Sequence, residues 1–121
     1  ITERCNCCCR YCFLDAHSEG KTMSLSTMHQ AIDYIFSNIG ERKLKIAAFG
    51  GEPTTDLVLL KEMVHYAKKI RDSKYPNINL SFSITTNGIM NDETLNFLVD
   101  NKFSVTLSMD GMANIQNYHR L

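Results

Sequence analysis

Three thiols spaced Cys5-x3-Cys9-x2-Cys12 lie in the run Cys5-Asn6-Cys7-Cys8-Cys9-Arg10-Tyr11-Cys12-Phe13, which holds all five cysteines of the chain. Thiols this dense are unfavourable unless a metal or disulfides use them. Five is odd, so a pure disulfide framework leaves one over. Adjacent cysteines also bridge poorly, because their Cα atoms are too close and badly oriented. Metal binding is the better reading, and two chemistries compete for it. Cys5, Cys9 and Cys12 could hold three irons of an iron–sulfur cube and leave the fourth open for a ligand, which makes a place to do chemistry. A cluster with all four thiolates mainly stores an electron. The pairs Cys5-x2-Cys8 and Cys9-x2-Cys12 read equally as a four-thiolate zinc knuckle. No residues separate those pairs and the flanks are not those of a small zinc-stapled fold, so the cluster is favoured while zinc stays open.

Regular elements must present this loop. Leu25, Met28, Ile32, Ile35, Phe36 and Ile39 recur at helical spacing, with Ser24 as the cap and Gly40 as the stop. Lys45 to Phe49 reads as a short strand running into Gly50-Gly51. Leu57, Leu60, Val64, Ala67 and Ile70 mark a second helix capped by Asp56. Leu80 to Thr85 alternates as a strand before Asn87-Gly88, and a third helix carries Leu95, Leu98 and Val99 after Asn91 or Asp92. Ser104 to Met109 is a further strand, ending in Asp110-Gly111, and Ile1 to Glu3 is a strand stub feeding the cysteine loop. The rhythm is βαβαβαβ, which calls for parallel strands joined by crossover helices. Each strand's carboxyl end carries an unusual sequence, and in parallel α/β folds ligands bind at that edge. The four should converge on one site.

Lys plus Arg and Asp plus Glu number 13 each in 121 residues, so no bulk field draws the chain to nucleic acid or to an anionic membrane. No segment approaches the apolar run of about 20 residues that a membrane helix needs, and no secretory signal is visible. Clustered thiols point to a reducing, cytoplasmic setting. The chain opens without Met and reads as a piece of something longer.

The series Cys5-Asn6 … Arg10-Tyr11-Cys12-Phe13, Phe49-Gly50-Gly51-Glu52-Pro53, Thr86-Asn87-Gly88 and Ser108-x-Asp110-Gly111 resembles the radical S-adenosylmethionine (SAM) enzymes. It looks like the branch that carries a C-terminal SPASM cluster domain, which includes anaerobic sulfatase maturases and thioether-installing peptide maturases. The resemblance runs through nearly the whole chain and implies an α/β fold, the N-terminal half of a partial (β/α)6 barrel. Residues 1–121 would be the N-terminal part of the radical SAM core, without its remaining strands or any SPASM domain. It further implies a [4Fe-4S] cluster on Cys5, Cys9 and Cys12, with SAM on the open iron. Reductive cleavage of SAM would give a 5′-deoxyadenosyl radical that modifies a peptide or protein substrate, fed by an external one-electron donor and working anaerobically. Tyr11 would lie by the adenine, while Gly50 and Gly51 would admit the methionine end of SAM. Glu52 would accept from its ammonium, and Ser108 and Arg120 would contact SAM, Arg120 through a forked carboxylate pair.

Cys7 and Cys8 depart from the family's apolar and variable residues and read as extra thiols outside the cluster. Gln116-Asn117 stand where the family often has His-Asp. Asn87-Gly88 is read as a βα turn, and Asp110-Gly111 as a turn. The four histidines show no ligand spacing and read as surface or capping residues.

Overall fold

The computed structural model describes residues 1–14, 20–40 and 42–120. Ser24 caps helix α1 (Leu25–Asn38) by accepting the Thr27 N–H, and the helix lays Met28, Ile32 and Phe36 into the core. Strand β1 (Lys43–Ala48) follows, then a 3-10 turn at Pro53–Thr55 and helix α2 (Leu57–Lys74). Asp56 caps α2 through the Leu59 N–H, and Arg71 and Lys74 sit at its negative end. Strand β2 (Asn79–Thr86), helix α3 (Asp92–Asp100) with Asn91 as its cap, strand β3 (Ser104–Leu107) and a short helix α4 (Ala113–His119) complete the order.

The three strands form one parallel sheet in the order β1-β2-β3, with Ala48 opposite Ile84 and Thr86 opposite Leu107. Parallel strands alternating with helices are the architecture expected from the sequence. Phe82, Ile84 and Thr86 alternate inward along β2 and meet Ile46 and Ala48 of β1. Leu60, Met63, Val64, Ala67 and Ile70 of α2 join α1 over this face in one apolar cluster. β3 pairs on one side only and is exposed throughout, with Val105 and Leu107 each about half in solvent.

Four details differ from the sequence reading. The Ile1–Glu3 stub is not a strand of the sheet. Thr2 instead forms an isolated antiparallel bridge with Thr22, and its carbonyl accepts the Gly51 N–H at 2.7 Å. Gly40 does not end α1 through a left-handed turn; the helix leaves through Ile39 in extended conformation, and the Asn38 side chain donates to the Tyr34 carbonyl. In α3 only Leu98 of the apolar residues is buried, while Leu95 and Val99 face solvent. Helix α4 was not foreseen. No helix among the described residues is long and apolar enough to cross a membrane.

Candidate functional site

A cavity of about 250 Å³ opens where β1, β2 and β3 end. Its lining includes all nine residues singled out from the sequence: Cys5, Cys9, Cys12, Tyr11, Gly50, Gly51, Glu52, Ser108 and Arg120. The chain places them there by three devices.

The first is a backbone clasp at Gly50-Gly51. Thr2 and Arg4 carbonyls accept the Gly51 and Glu52 N–H groups, each at 2.7 Å, so the lead into the cysteine loop lies against the end of β1. A Cβ on Gly51 would stand 2.3 Å from the Arg4 carbonyl oxygen, and one on Gly50 2.2 Å from that of Thr2. Gly50 also has φ +154°. The close approach that demands glycine is therefore the chain's own residues 2–4, in addition to any ligand in the cavity.

The second device is a buried carboxylate. Glu52 is 1% exposed. Its Oε1 accepts from the Thr54 N–H, the Thr54 hydroxyl and the Thr86 hydroxyl, while Oε2 accepts the Asn87 N–H at 2.6 Å. Four donors satisfy a charge that would otherwise be prohibitive to bury. Glu52 thus joins the turn after β1 to the end of β2. The sequence reading gave it a ligand's ammonium and missed this internal role.

The third device staples the loop to α4. Tyr11 donates its hydroxyl to Asp110, and Arg120 reaches both Asp110 oxygens at 2.9 and 3.0 Å. Arg10 donates from Nε to the Tyr118 carbonyl at 2.8 Å and lies 4.3 Å over the Tyr118 ring. The Arg10 N–H bonds the His119 carbonyl. Arg120 does make the forked carboxylate pair expected of it, but here the partner is Asp110. In the sequence Asp110 reads only as a turn residue. Its spacing of ten residues from Arg120 carried no signal, because the two meet only once α4 folds back.

The Arg120 guanidinium, followed by the Tyr11 hydroxyl, holds the Asp110 carboxyl below its ordinary range. A carboxylate with a depressed folded pKa contributes stability above its unfolded value, and that stability is lost as pH falls through the folded one. The contribution should thus be complete above about pH 4 and fade below it. Acid titration of unfolding should show a steeper loss below that point for the wild type than for Asp110→Asn; parallel curves would refute the coupling.

The thiols sort by environment, and none of the five is in a disulfide. Cys7 is buried at 5% exposure, and burial first, then the neighbouring Cys5 and Cys9, pushes its thiol up. Burial also raises Cys9, opposed by the Arg120 guanidinium. Cys5 Sγ accepts the Cys7 N–H at 3.4 Å, and the Cys12 N–H closes a turn onto the Cys9 carbonyl. A zinc knuckle built from the two Cys-x2-Cys pairs would need Cys8, which is exposed and does not line the cavity, whereas Cys5, Cys7, Cys9 and Cys12 do. Among the described residues no three Cys, His, Asp or Glu side chains are grouped to hold one ion. A cubane spreads its thiolates over separate irons and needs no such convergence. The donor set of Cys5, Cys9 and Cys12 around one cavity fits that group.

The sequence pattern of the Radical SAM superfamily matches residues 1–121. The chain belongs to the radical SAM superfamily. This is a superfamily of enzymes. The radical SAM chain is similar to the cysteine-type anaerobic sulfatase-maturating enzyme of Clostridium novyi (strain NT), 32% identical over 99% of this chain and 33% of the relative. It is 30% identical to the serine-type anaerobic sulfatase-maturating enzyme of Klebsiella aerogenes, over 99% of this chain and 30% of that one. The solved structure of native anSMEcpe with bound AdoMet and Cp18Cys peptide matches it with TM-score 0.82 at 29% identity, covering 98% of this chain and 32% of that chain. The chain thus spans about a third of the length of these relatives.

Proposed function

We propose that this chain is the N-terminal part of the core of a radical SAM maturase of the SPASM-type branch, acting on a peptide or protein. The observation that carries the reading is the convergence of Cys5, Cys9 and Cys12 with Gly50, Gly51, Ser108 and Arg120 on one cavity at the strand ends. In it Cys5, Cys9 and Cys12 hold a [4Fe-4S] cluster, and SAM sits against Tyr11, Gly50, Gly51, Ser108 and Arg120. With cluster and SAM bound, one electron from an external donor would break the S–C5′ bond of SAM, giving methionine and a 5′-deoxyadenosyl radical able to abstract a substrate hydrogen. The protein's own share is to hold the thiolates, orient SAM and keep water and oxygen away. Asp110 holds the Arg120 guanidinium on the cavity wall through its Nε and one Nη. Glu52 contributes by fixing Asn87 and Thr86, with its Oε2 open to one further donor beyond the Asn87 N–H.

The kinship with sulfatase-maturating enzymes favours one finer reading, oxidation of a Cys or Ser side chain to formylglycine. Cross-linking of a peptide is the other. Both take a peptide-borne side chain, and both suit a reducing, cytoplasmic setting for the clustered thiols.

The test is anaerobic reconstitution of the full-length protein with iron and sulfide, followed by SAM and dithionite and assay of 5′-deoxyadenosine. Wild type and a Cys7→Ala/Cys8→Ala double variant should form it, and Cys12→Ala should fall by at least about a hundredfold, since a lost ligand removes the group that carries the chemistry. A well-loaded, reducible wild type that forms none would sink the reading. A formylglycine signal on a sulfatase-derived peptide, read by mass, would select the finer activity.

A further inference from the structure

Five thiols within eight residues pose a problem of choice that the ligand spacing alone does not solve, because Cys5, Cys8, Cys9 and Cys12 also make two Cys-x2-Cys pairs. The structure assigns that choice to an asparagine pair, Asn6 and Asn87, which locks Cys7 into the wall and so fixes the register in which Cys5, Cys9 and Cys12 face the cavity. This rests on the cluster reading above and adds to it the residues that select the ligands.

The geometry is closed on every side. The Asn87 Nδ2 donates to Asn6 Oδ1 at 2.7 Å and to Cys7 Sγ at 3.3 Å. The Asn6 Nδ2 donates in turn to the Ile89 carbonyl at 3.0 Å. Asn87 is itself held from both ends: its N–H lies on Glu52 Oε2, and its Oδ1 accepts the Ile89 N–H at 2.9 Å. A rigid anchor at the end of β2 thereby grips the middle of the cysteine loop, 80 residues away in sequence for Asn87 and Cys7. Cys7 borders the same cavity as Cys5, Cys9 and Cys12, but it is buried with its Sγ engaged by Asn87, while Cys8 is exposed and does not border it. The two asparagine side chains bond each other, Cys7 and Ile89 and not Cys5, Cys9 or Cys12, so both act as positioning residues.

The substitution that isolates the effect is Asn87→Asp. Aspartate keeps the acceptor for the Ile89 N–H and loses both donated bonds, to Asn6 and to Cys7. The full-length apoprotein, chelated and reduced, is treated with limiting iodoacetamide, and each cysteine is read by peptide mass. In the wild type Cys8 and Cys12 should label rapidly and Cys7 slowly. In Asn87→Asp, Cys7 labelling should rise about tenfold, the release expected from two lost hydrogen bonds. After reconstitution and reduction the wild type should show one electron paramagnetic resonance signal and Asn87→Asp a mixture, which Cys7→Ser in the same background should return to one. Should Asn87→Asp fail to fold, with all five thiols at the unfolded rate, Asn6→Ala is read by the same two assays. Unchanged Cys7 protection in the folded variant would overturn the proposal, as would a mixture that Cys7→Ser leaves intact. The alkylation arm uses no iron. A wild type with the expected labelling that takes up no cluster would refute the cluster reading while the locking of Cys7 stands.

Discussion

Gly51→Ala is expected to strip the protein of its cysteine loop while leaving every proposed ligand in place. The added Cβ would sit 2.3 Å from the Arg4 carbonyl oxygen and 2.5 Å from that of Glu3, and both are backbone atoms that cannot rotate aside. Overpacking alone costs about 1–3 kcal/mol. Moving residues 2–4 away also breaks the two clasp bonds that Gly51 and Glu52 donate, each worth about 1 kcal/mol. The total should be about 3 kcal/mol or more, with iron per chain after reconstitution falling well below half of the wild-type value. Denaturant unfolding of the apoprotein and iron analysis check the two parts separately. A Gly51→Ala protein of wild-type stability that loads normally but no longer binds SAM would show that the glycine serves the ligand and not the chain.

Glu52→Gln should be nearly as severe, and severe before any ligand is present. The carboxylate collects four donors, three on Oε1 and one on Oε2. An amide in its place must turn its own N–H groups toward one of those sets. If the amide nitrogen takes the Oε2 place it faces the Asn87 N–H, a donor with no lone pair to offer; if it takes the Oε1 place it faces the Thr54 N–H and must reverse two hydroxyls. One buried donor is left facing another in either orientation, and the expected loss is about 2–3 kcal/mol. Glu52→Ala adds a cavity and should lose about 4 kcal/mol. The decisive measurement is again apoprotein unfolding. Unchanged apoprotein stability would mean that the carboxylate works only when an ammonium is bound.

Much of the fold was legible because the signals were local. Ser24, Asp56 and Asn91 each cap the helix they precede through a side chain that accepts an N–H three residues on, a geometry set within one turn. The alternation along β2 likewise follows from the two-residue period of a strand. Where the reading fell short, the cause lay in distant parts of the chain. Gly40 looked like a helix stop, yet the turn out of α1 needs no positive φ. Leu95 and Val99 fit a helical stripe, but nothing among the described residues lies outside α3 to cover them. The site shows the same division. Its residue types and their gathering at the strand ends were readable from order alone. The partners of Glu52, Asp110 and Asn87 were not, since each lies on another element and no periodicity records it.

The staple between Arg10 and Tyr118 spans 108 residues of sequence, and the Asn6–Asn87 bond spans 81. A chain made at about 5–20 residues per second therefore completes the cysteine loop roughly 5 to 22 seconds before its far anchor exists. For most of that interval the thiols that will share one cavity lack the Asn87 that engages Cys7, and to its end they lack the Asp110–Arg120 pair that backs Tyr11. The nascent chain is at its most vulnerable to oxidation and to stray metals during its own synthesis. Cluster insertion on a preformed loop must wait for α4, so the pace of translation and the timing of iron delivery bear on the yield of correctly loaded protein.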